Sequence, residues 1–182
     1  AHTHLCYTPE AAAPPAGAAP CLRKGFVTFG SFNAFAKASD ETLAAWAQIL
    51  SAVPSSRLLL KSAAFSSEEG RTAALARLQA AGIDSERVEL RPDTREYLHE
   101  YHDVDIALDT FPYPGGGTTF DALYMGVPVV MLKGDSHGTR FGFSILANLG
   151  LADLAAADAA DYVRKAAALA EDTELLAALH KN

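Results

Sequence analysis

Apolar and polar positions along this chain switch repeatedly between a period of two and a period of three to four, the marks of strands and helices in alternation. Residues 25–30, Gly-Phe-Val-Thr-Phe-Gly, are a short β-rich run closed by glycine. Leu43, Trp46, Ala47 and Leu50 then recur at helical spacing between a start signal at Ser39 or Asp40 and a stop at Pro54. This predicts a helix with one buried face and Trp46 in the core. Residues 57–61 read as a buried strand. Residues 67–81, with Glu68 and Glu69 in the first turn and Gly82 beyond the end, read as a helix. Residues 87–91 alternate as a strand should, and Thr94 can cap a short helix carrying Tyr97, Leu98 and Tyr101. The alternating residues 104–109 predict a further strand, and the continuous apolar run 128–132 predicts one buried on both faces. A loop over 133–138, a helix from about 139 to 149, an apolar turn at 151–154 and an alanine-rich helix from Asp158 onward complete the chain.

Strands alternating with helices at this spacing pair in parallel through right-handed crossovers, so the fold class is α/β with a doubly wound parallel sheet. In such sheets ligands sit outside the carboxyl ends of the strands. Three polar loops, at 30–37, 109–119 and 133–140, fall on that edge. Residues 8–20 hold four prolines and form neither a regular helix nor a central strand, so residues 1–24 are read as an irregular strap or linker and 25–182 as the domain. No repeat of solenoid period is present.

Composition narrows the partners. A net charge of −7 argues against general affinity for nucleic acid or an anionic membrane, and no apolar run reaches the length of a membrane-spanning helix. Cys6 and Cys21 belong to no metal-binding or redox pattern, which reads as a reduced, cytoplasmic protein. The opening residues hold neither a methionine nor a signal peptide and read as the middle of a longer polypeptide.

The stretch from Tyr113 to Val130 carries the chemistry. Gly115, Gly116 and Gly117 remove every side chain where a helix would begin, so bare backbone can approach a ligand. Thr118 and Thr119 would supply an N-cap and hydroxyl donors, and the unpaired first-turn N–H groups attract phosphate. Asp121, slightly farther along, suits a sugar hydroxyl but repels phosphate. A nucleotide with its ribose near Asp121 and its phosphates over residues 116–119 reconciles both. Gly126 fits the position after the helix and Pro128 stops it. The same glycine run also reads as a plain tight turn, being neither a Walker A loop nor GxGxxG. Lys37 is either a charge partner for a diphosphate or a solvated lysine, and Asn33 either a site or a turn residue. His99 and His102 with Asp103 and Asp105 could be drawn as a metal site. The strand phase of Asp105 disfavours it, and His99 fits a place near a nucleotide base or phosphate better. Asp135, Ser136 and His137 lack the GxSxG elbow of a hydrolase; with Lys133, Thr139 and Arg140 they fit a loop that closes over phosphates.

Several motifs in order carry a family resemblance: Phe29-Gly-Ser-Phe-Asn33 with Lys37, Trp46-Ala-Gln-Ile-Leu50 before Val53-Pro54, Asp105-Ile-Ala-Leu-Asp-Thr-Phe-Pro-Tyr113, and Leu123-Tyr-Met-Gly-Val-Pro128. Together they resemble the C-terminal catalytic half of the O-linked N-acetylglucosamine transferase and SPINDLY family. The resemblance implies a Rossmann-like half of a GT-B glycosyltransferase that binds UDP-N-acetylglucosamine without a metal and transfers the sugar, with inversion, to Ser or Thr hydroxyls. It implies a site in which Lys37 meets the diphosphate and acts in catalysis, Gly117, Thr118 and Thr119 hold phosphate oxygens, Asp121 holds the ribose, and Thr94, by its backbone, and His99 lie near the base and ribose. The other catalytic half, with its general base, and the tetratricopeptide repeats would come from elsewhere in the same polypeptide. The animal enzymes carry His-Thr-Thr where this chain has Gly116-Gly117-Thr118, and SPINDLY-type members, which use GDP-fucose, have a loop closer to this one. A GDP-fucose donor and a non-catalytic nucleotide-binding or interaction module therefore stand as alternatives.

Overall fold

A computed structural model describes residues 6–9 and 13–181. In chain order the elements are α1 (Cys21–Lys24), β1 (Thr28–Ser31), α2 (Asp40–Ala52), β2 (Arg57–Lys61), α3 (Glu68–Ala80), β3 (Val88–Arg91) and β4 (Ile106–Leu108). There follow α4 (Gly117–Tyr124), β5 (Val129–Leu132), α5 (Phe141–Asn148), β6 (Ala155–Ala156), α6 (Ala159–Glu171) and α7 (Thr173–Leu179). The strands form one sheet in the order β3-β2-β1-β4-β5-β6 with every neighbouring pair parallel. This is the doubly wound α/β architecture that the alternating pattern predicts.

Alternation along the strands feeds two hydrophobic layers. Phe29, Leu58, Leu60, Ile106, Leu108 and Val130 enter a core shared with Leu43, Trp46 and Ile49 of α2 and Tyr162 of α6. The intervening Ala107 and Val129 enter a second, with Leu98, Tyr101, Val104, Ala122 and Met125. Gly30, in the middle of β1, has no room for a side chain, because a Cβ there would come within 2.6 Å of the Val104 methyls. The expected helix signals are in place: Ser39 caps α2 by accepting from Thr42 N, Ser67 caps α3 by accepting from Gly70 N, and Gly126 follows α4 at φ +79°.

Other details differ from the sequence reading. Residues 21–24, assigned to an irregular strap, form one helical turn behind Pro20. Residues Tyr97–Asp103 are a 3-10 helix entered at Glu96, so Thr94 does not cap it. The helix expected from 139 begins as a 3-10 turn, Gly138–Arg140, and becomes α5 only at Phe141. The alanine-rich tail is two helices, because Asp172 ends α6 and caps α7 by accepting from Leu175 N. Strand β6 has no signal in the sequence: two alanines carry no β pattern, and only their pairing with Met131 and Leu132 makes them a strand. No helix of the described residues is long and apolar enough to cross a membrane.

Candidate functional site

Strand β1 lies between β2 and β4, and the strand order reverses there. Connections leaving β1 and β4 therefore run to opposite faces of the sheet and open a crevice at the carboxyl ends of the strands. A cleft of about 440 Å³ occupies this position, walled by Phe32 and Lys37 after β1, Lys61 at the end of β2, Thr94 and Tyr97 after β3, and Gly116, Gly117, Thr118 and Asp121 at the start of α4.

The three glycines differ in what surrounds them. Gly115 donates its N–H to Asp109 Oδ1 at 2.7 Å, and a Cβ on it would lie 2.4 Å from Thr118 Oγ1 and 3.0 Å from Asn33 Oδ1. Gly116 and Gly117 have nothing among the described residues within 4 Å of such a Cβ, so their backbone faces open space there. Gly116 occupies the cap position of α4 and no side chain caps the helix, which corrects the assignment of that role to Thr118 or Thr119. Phe120 N is the first to reach back, to Gly116 O, which leaves the N–H groups of Gly117, Thr118 and Thr119 without an intrahelical acceptor. Thr119 is buried and stands off the cleft wall, so its backbone, rather than the expected hydroxyl, is what it can offer a ligand.

Lys37 reaches the cleft from a 3-10 turn, its Nζ 3.5 Å from Pro114 O and 4.7 Å from the centre of the Tyr113 ring. Asn33 is buried behind the loop: its Nδ2 donates to Asp109 Oδ1 at 3.2 Å and its Oδ1 accepts from Thr118 Oγ1 at 3.0 Å. It braces the cradle from below rather than lining the cleft. Both oxygens of Asp121 accept from tyrosines, Oδ1 from Tyr7 at 2.7 Å and Oδ2 from Tyr97 at 3.1 Å. A carboxylate has about four acceptor directions, so it retains capacity for a sugar hydroxyl. Thr94 lies on the rim, donating to Glu100 Oε1 and accepting from Lys61 Nζ. His99 is exposed beside His102 and does not line the cleft. The loop after β5 is tied to itself, Ser136 N and Oγ meeting Thr139 Oγ1 while Lys133 lies over the Phe143 ring.

Three features escape a reading of the sequence. Lys61, only 3% exposed, ends β2 inside the cleft and binds Pro92 O, Thr94 and Glu100 Oε1, the last at 2.7 Å. Burial opposes ionisation of Glu100, but Lys61, Thr94 and Arg91 outweigh it and hold its carboxyl below the usual range. A lysine closing the carboxyl end of a strand after three consecutive leucines is the available signal. Tyr7 stacks on Phe120 with ring centres 5.0 Å apart, so the N-terminal strap reaches α4. Asp109 is fully buried, and its Oδ1 gathers Gly115 N, Thr110 N and Asn33 Nδ2 while Oδ2 has no partner among the described residues. Burial pushes this carboxyl up to about 6, against those hydrogen bonds and the charge of Lys37.

The chain matches the family model described as glycosyl transferase family 41 over residues 18–182. It belongs to that family. Among family 41 relatives it is 44% identical over 178 residues to a probable UDP-N-acetylglucosamine--peptide N-acetylglucosaminyltransferase SPINDLY of Eustoma exaltatum subsp. russellianum, covering 96% of this chain and 19% of the relative. It is 31% identical over 154 residues to a UDP-N-acetylglucosamine--peptide N-acetylglucosaminyltransferase of Caenorhabditis elegans, covering 83% of this chain and 13% of that one. A Thermobaculum terrenum O-GlcNAc transferase, solved in a mutant form, superposes with a TM-score of 0.87 at 36% identity, covering 96% of this chain and 33% of that one. The chain thus spans about a fifth of the SPINDLY relative and a third of the solved structure.

Proposed function

We propose that this chain is the donor-binding half of a protein O-glycosyltransferase that moves N-acetylglucosamine from UDP-N-acetylglucosamine to Ser or Thr hydroxyls with inversion. The observation that carries the reading is the cleft at the β1/β4 switch point, which Lys37, the bare N-terminus of α4 and Asp121 line together. The diphosphate would lie over the N–H groups of Gly117, Thr118 and Thr119 with Lys37 beside it. The ribose would lie against Asp121, and the base near the backbone of Thr94.

In the transfer, the acceptor hydroxyl oxygen attacks the anomeric carbon while the bond from that carbon to the diphosphate oxygen breaks. The bonding pair leaves on UDP, and the hydroxyl proton passes to a base contributed from outside these residues. Negative charge grows on the leaving diphosphate, which is where Lys37 and the helix N-terminus point. The steps assigned to these residues call for no metal. The partners are the nucleotide sugar, an acceptor protein, and the remaining catalytic half and tetratricopeptide repeats of the same polypeptide, in keeping with the greater length of the relatives.

A second donor, GDP-fucose, rests on the form of the glycine loop, which resembles that of SPINDLY-type members. Calorimetric titration with UDP, UDP-N-acetylglucosamine, GDP and GDP-fucose decides between them, and tighter binding of the guanosine ligands overturns the first choice. Absence of binding of all four by the longer native polypeptide favours the interaction-module reading. The chain by itself should bind donor weakly and form no glycopeptide with an acceptor peptide, because half of the cleft and the acceptor surface lie outside it.

A further inference from the structure

Asp109 holds Gly115 at the entrance to the anion cradle, yet it does not line the cleft and no step above uses it. Its two oxygens have opposite surroundings. Oδ1 accepts from Gly115 N at 2.7 Å, Thr110 N at 2.9 Å and Asn33 Nδ2 at 3.2 Å, and Asn33 in turn holds Thr118 Oγ1. Oδ2 is buried without a partner among the described residues and faces Gly142 of α5, where a Cβ would approach it to 3.4 Å. A proton placed on Oδ2 therefore leaves all three donors on Oδ1 in place. It removes the charge without dismantling the loop.

Resting on the donor-site reading above, we propose that Asp109 is a positioning residue with two tasks: Oδ1 anchors the glycine loop, and Oδ2 takes up a proton from solvent when a nucleotide sugar binds. The coupling has two sources of the same sign. A diphosphate over Gly117 to Thr119 brings negative charge to the loop that the carboxylate anchors through Gly115 and, by way of Asn33, Thr118, and like charges repel most where burial limits screening. The same diphosphate engages Lys37, whose charge otherwise favours ionised Asp109. The carboxyl of the free protein already stands at about 6, so a further rise carries it across neutral pH. Of the other titratable groups facing it, Tyr101 and Tyr162 are both held well above their ordinary range and stay neutral. Met131 and Gly142 on the α5 side do not titrate.

The test is calorimetry of the full chain with UDP-N-acetylglucosamine and with GDP-fucose, whose diphosphates have no proton to gain between pH 6 and 8. Two buffers of different ionisation enthalpy give the protons taken up, and Asp109→Asn keeps an oxygen for the loop while deleting the charge. For a shift of about one pKa unit on binding, the parent should gain about fivefold in affinity from pH 8 to pH 6 and take up about half a proton at pH 6.5. Asp109→Asn should lose both effects and, at pH 8, bind at least as well as the parent. Independently of any variant, the carboxyl carbon resonance of Asp109 should titrate near 6 and move to higher pH with donor present. Equal pH dependence in parent and variant, or an Asp109 resonance unmoved by donor, overturns the proposal alone. Failure of the parent to bind either donor overturns the donor-site reading and the proposal together.

Discussion

Gly115 and Gly117 stand two residues apart and answer a side chain in opposite ways. At Gly115 a Cβ collides with Thr118 Oγ1, so Gly115→Ala should cost about 1–3 kcal/mol of stability by forcing the loop off its Asp109 and Asn33 contacts, measured by denaturant unfolding. At Gly117 the space is open, so Gly117→Val should unfold like the parent yet lose nucleotide-sugar binding through the methyls it sets over the helix N-terminus. Unchanged affinity in a folded Gly117→Val protein would remove the loop from the site. For Lys37, truncation of the charge in Lys37→Met keeps most of the stem and should weaken the donor roughly tenfold or more, as expected for a charge-assisted contact to phosphate. Calorimetry reads this directly, and equal affinity would return Lys37 to the solvated lysines. These residues are legible in the sequence because a glycine run ahead of a helix and a lysine in the loop after a strand announce themselves by residue type and position. Asp109 and Lys61 are not legible as site residues, since burial decides their behaviour and burial is a property of the folded chain.

At the level of elements, the helices with a capping residue and a following glycine are legible, whereas β6 and the break at Asp172 arise from pairing and capping that no local pattern announces. Two hydrogen bonds in series tie α2, α6 and the residue after β4 together: Trp46 Nε1 donates to Tyr162 Oη at 3.1 Å, and that hydroxyl donates to Asp109 O at 2.9 Å. Tyr162→Phe orphans the indole N–H and a buried carbonyl, so a loss of about 1–3 kcal/mol is expected in thermal or denaturant unfolding. A loss near zero would mean that water replaces the hydroxyl. The Lys61–Glu100 pair between β2 and the 3-10 helix makes a pH prediction. Because the folded carboxyl of Glu100 lies below its unfolded value, its contribution is complete above the ordinary carboxylate range and is lost as pH falls through the folded value. Glu100→Gln should therefore flatten the decline of melting temperature on acidification below about pH 4.5, and an unchanged acid limb would show that the pair is not what titrates.

The whole molecule sets the order in which the site can come into being. Several contacts that shape the cleft join distant parts of the chain: Tyr7 to Asp121 across 114 positions, Thr118 to Asn33 across 85, Lys37 to Pro114 across 77, and Asn33 to Asp109 across 76. The helices, by contrast, close over a few residues each. Loop-closure entropy must be overcome before distant contacts can repay it, and chains of this length commonly pass through collapsed intermediates that already hold native helix. In refolding, then, the far-ultraviolet helix signal should recover in an earlier phase than the capacity to bind a nucleotide sugar, with stopped-flow circular dichroism following the first and a fluorescent nucleotide the second. Recovery of both in one phase would refute this ordering. If the phases separate, the donor cleft is a late-maturing feature of the chain, and during synthesis no nucleotide can be held until residue 121 has emerged and folded back onto a strap made more than a hundred residues earlier.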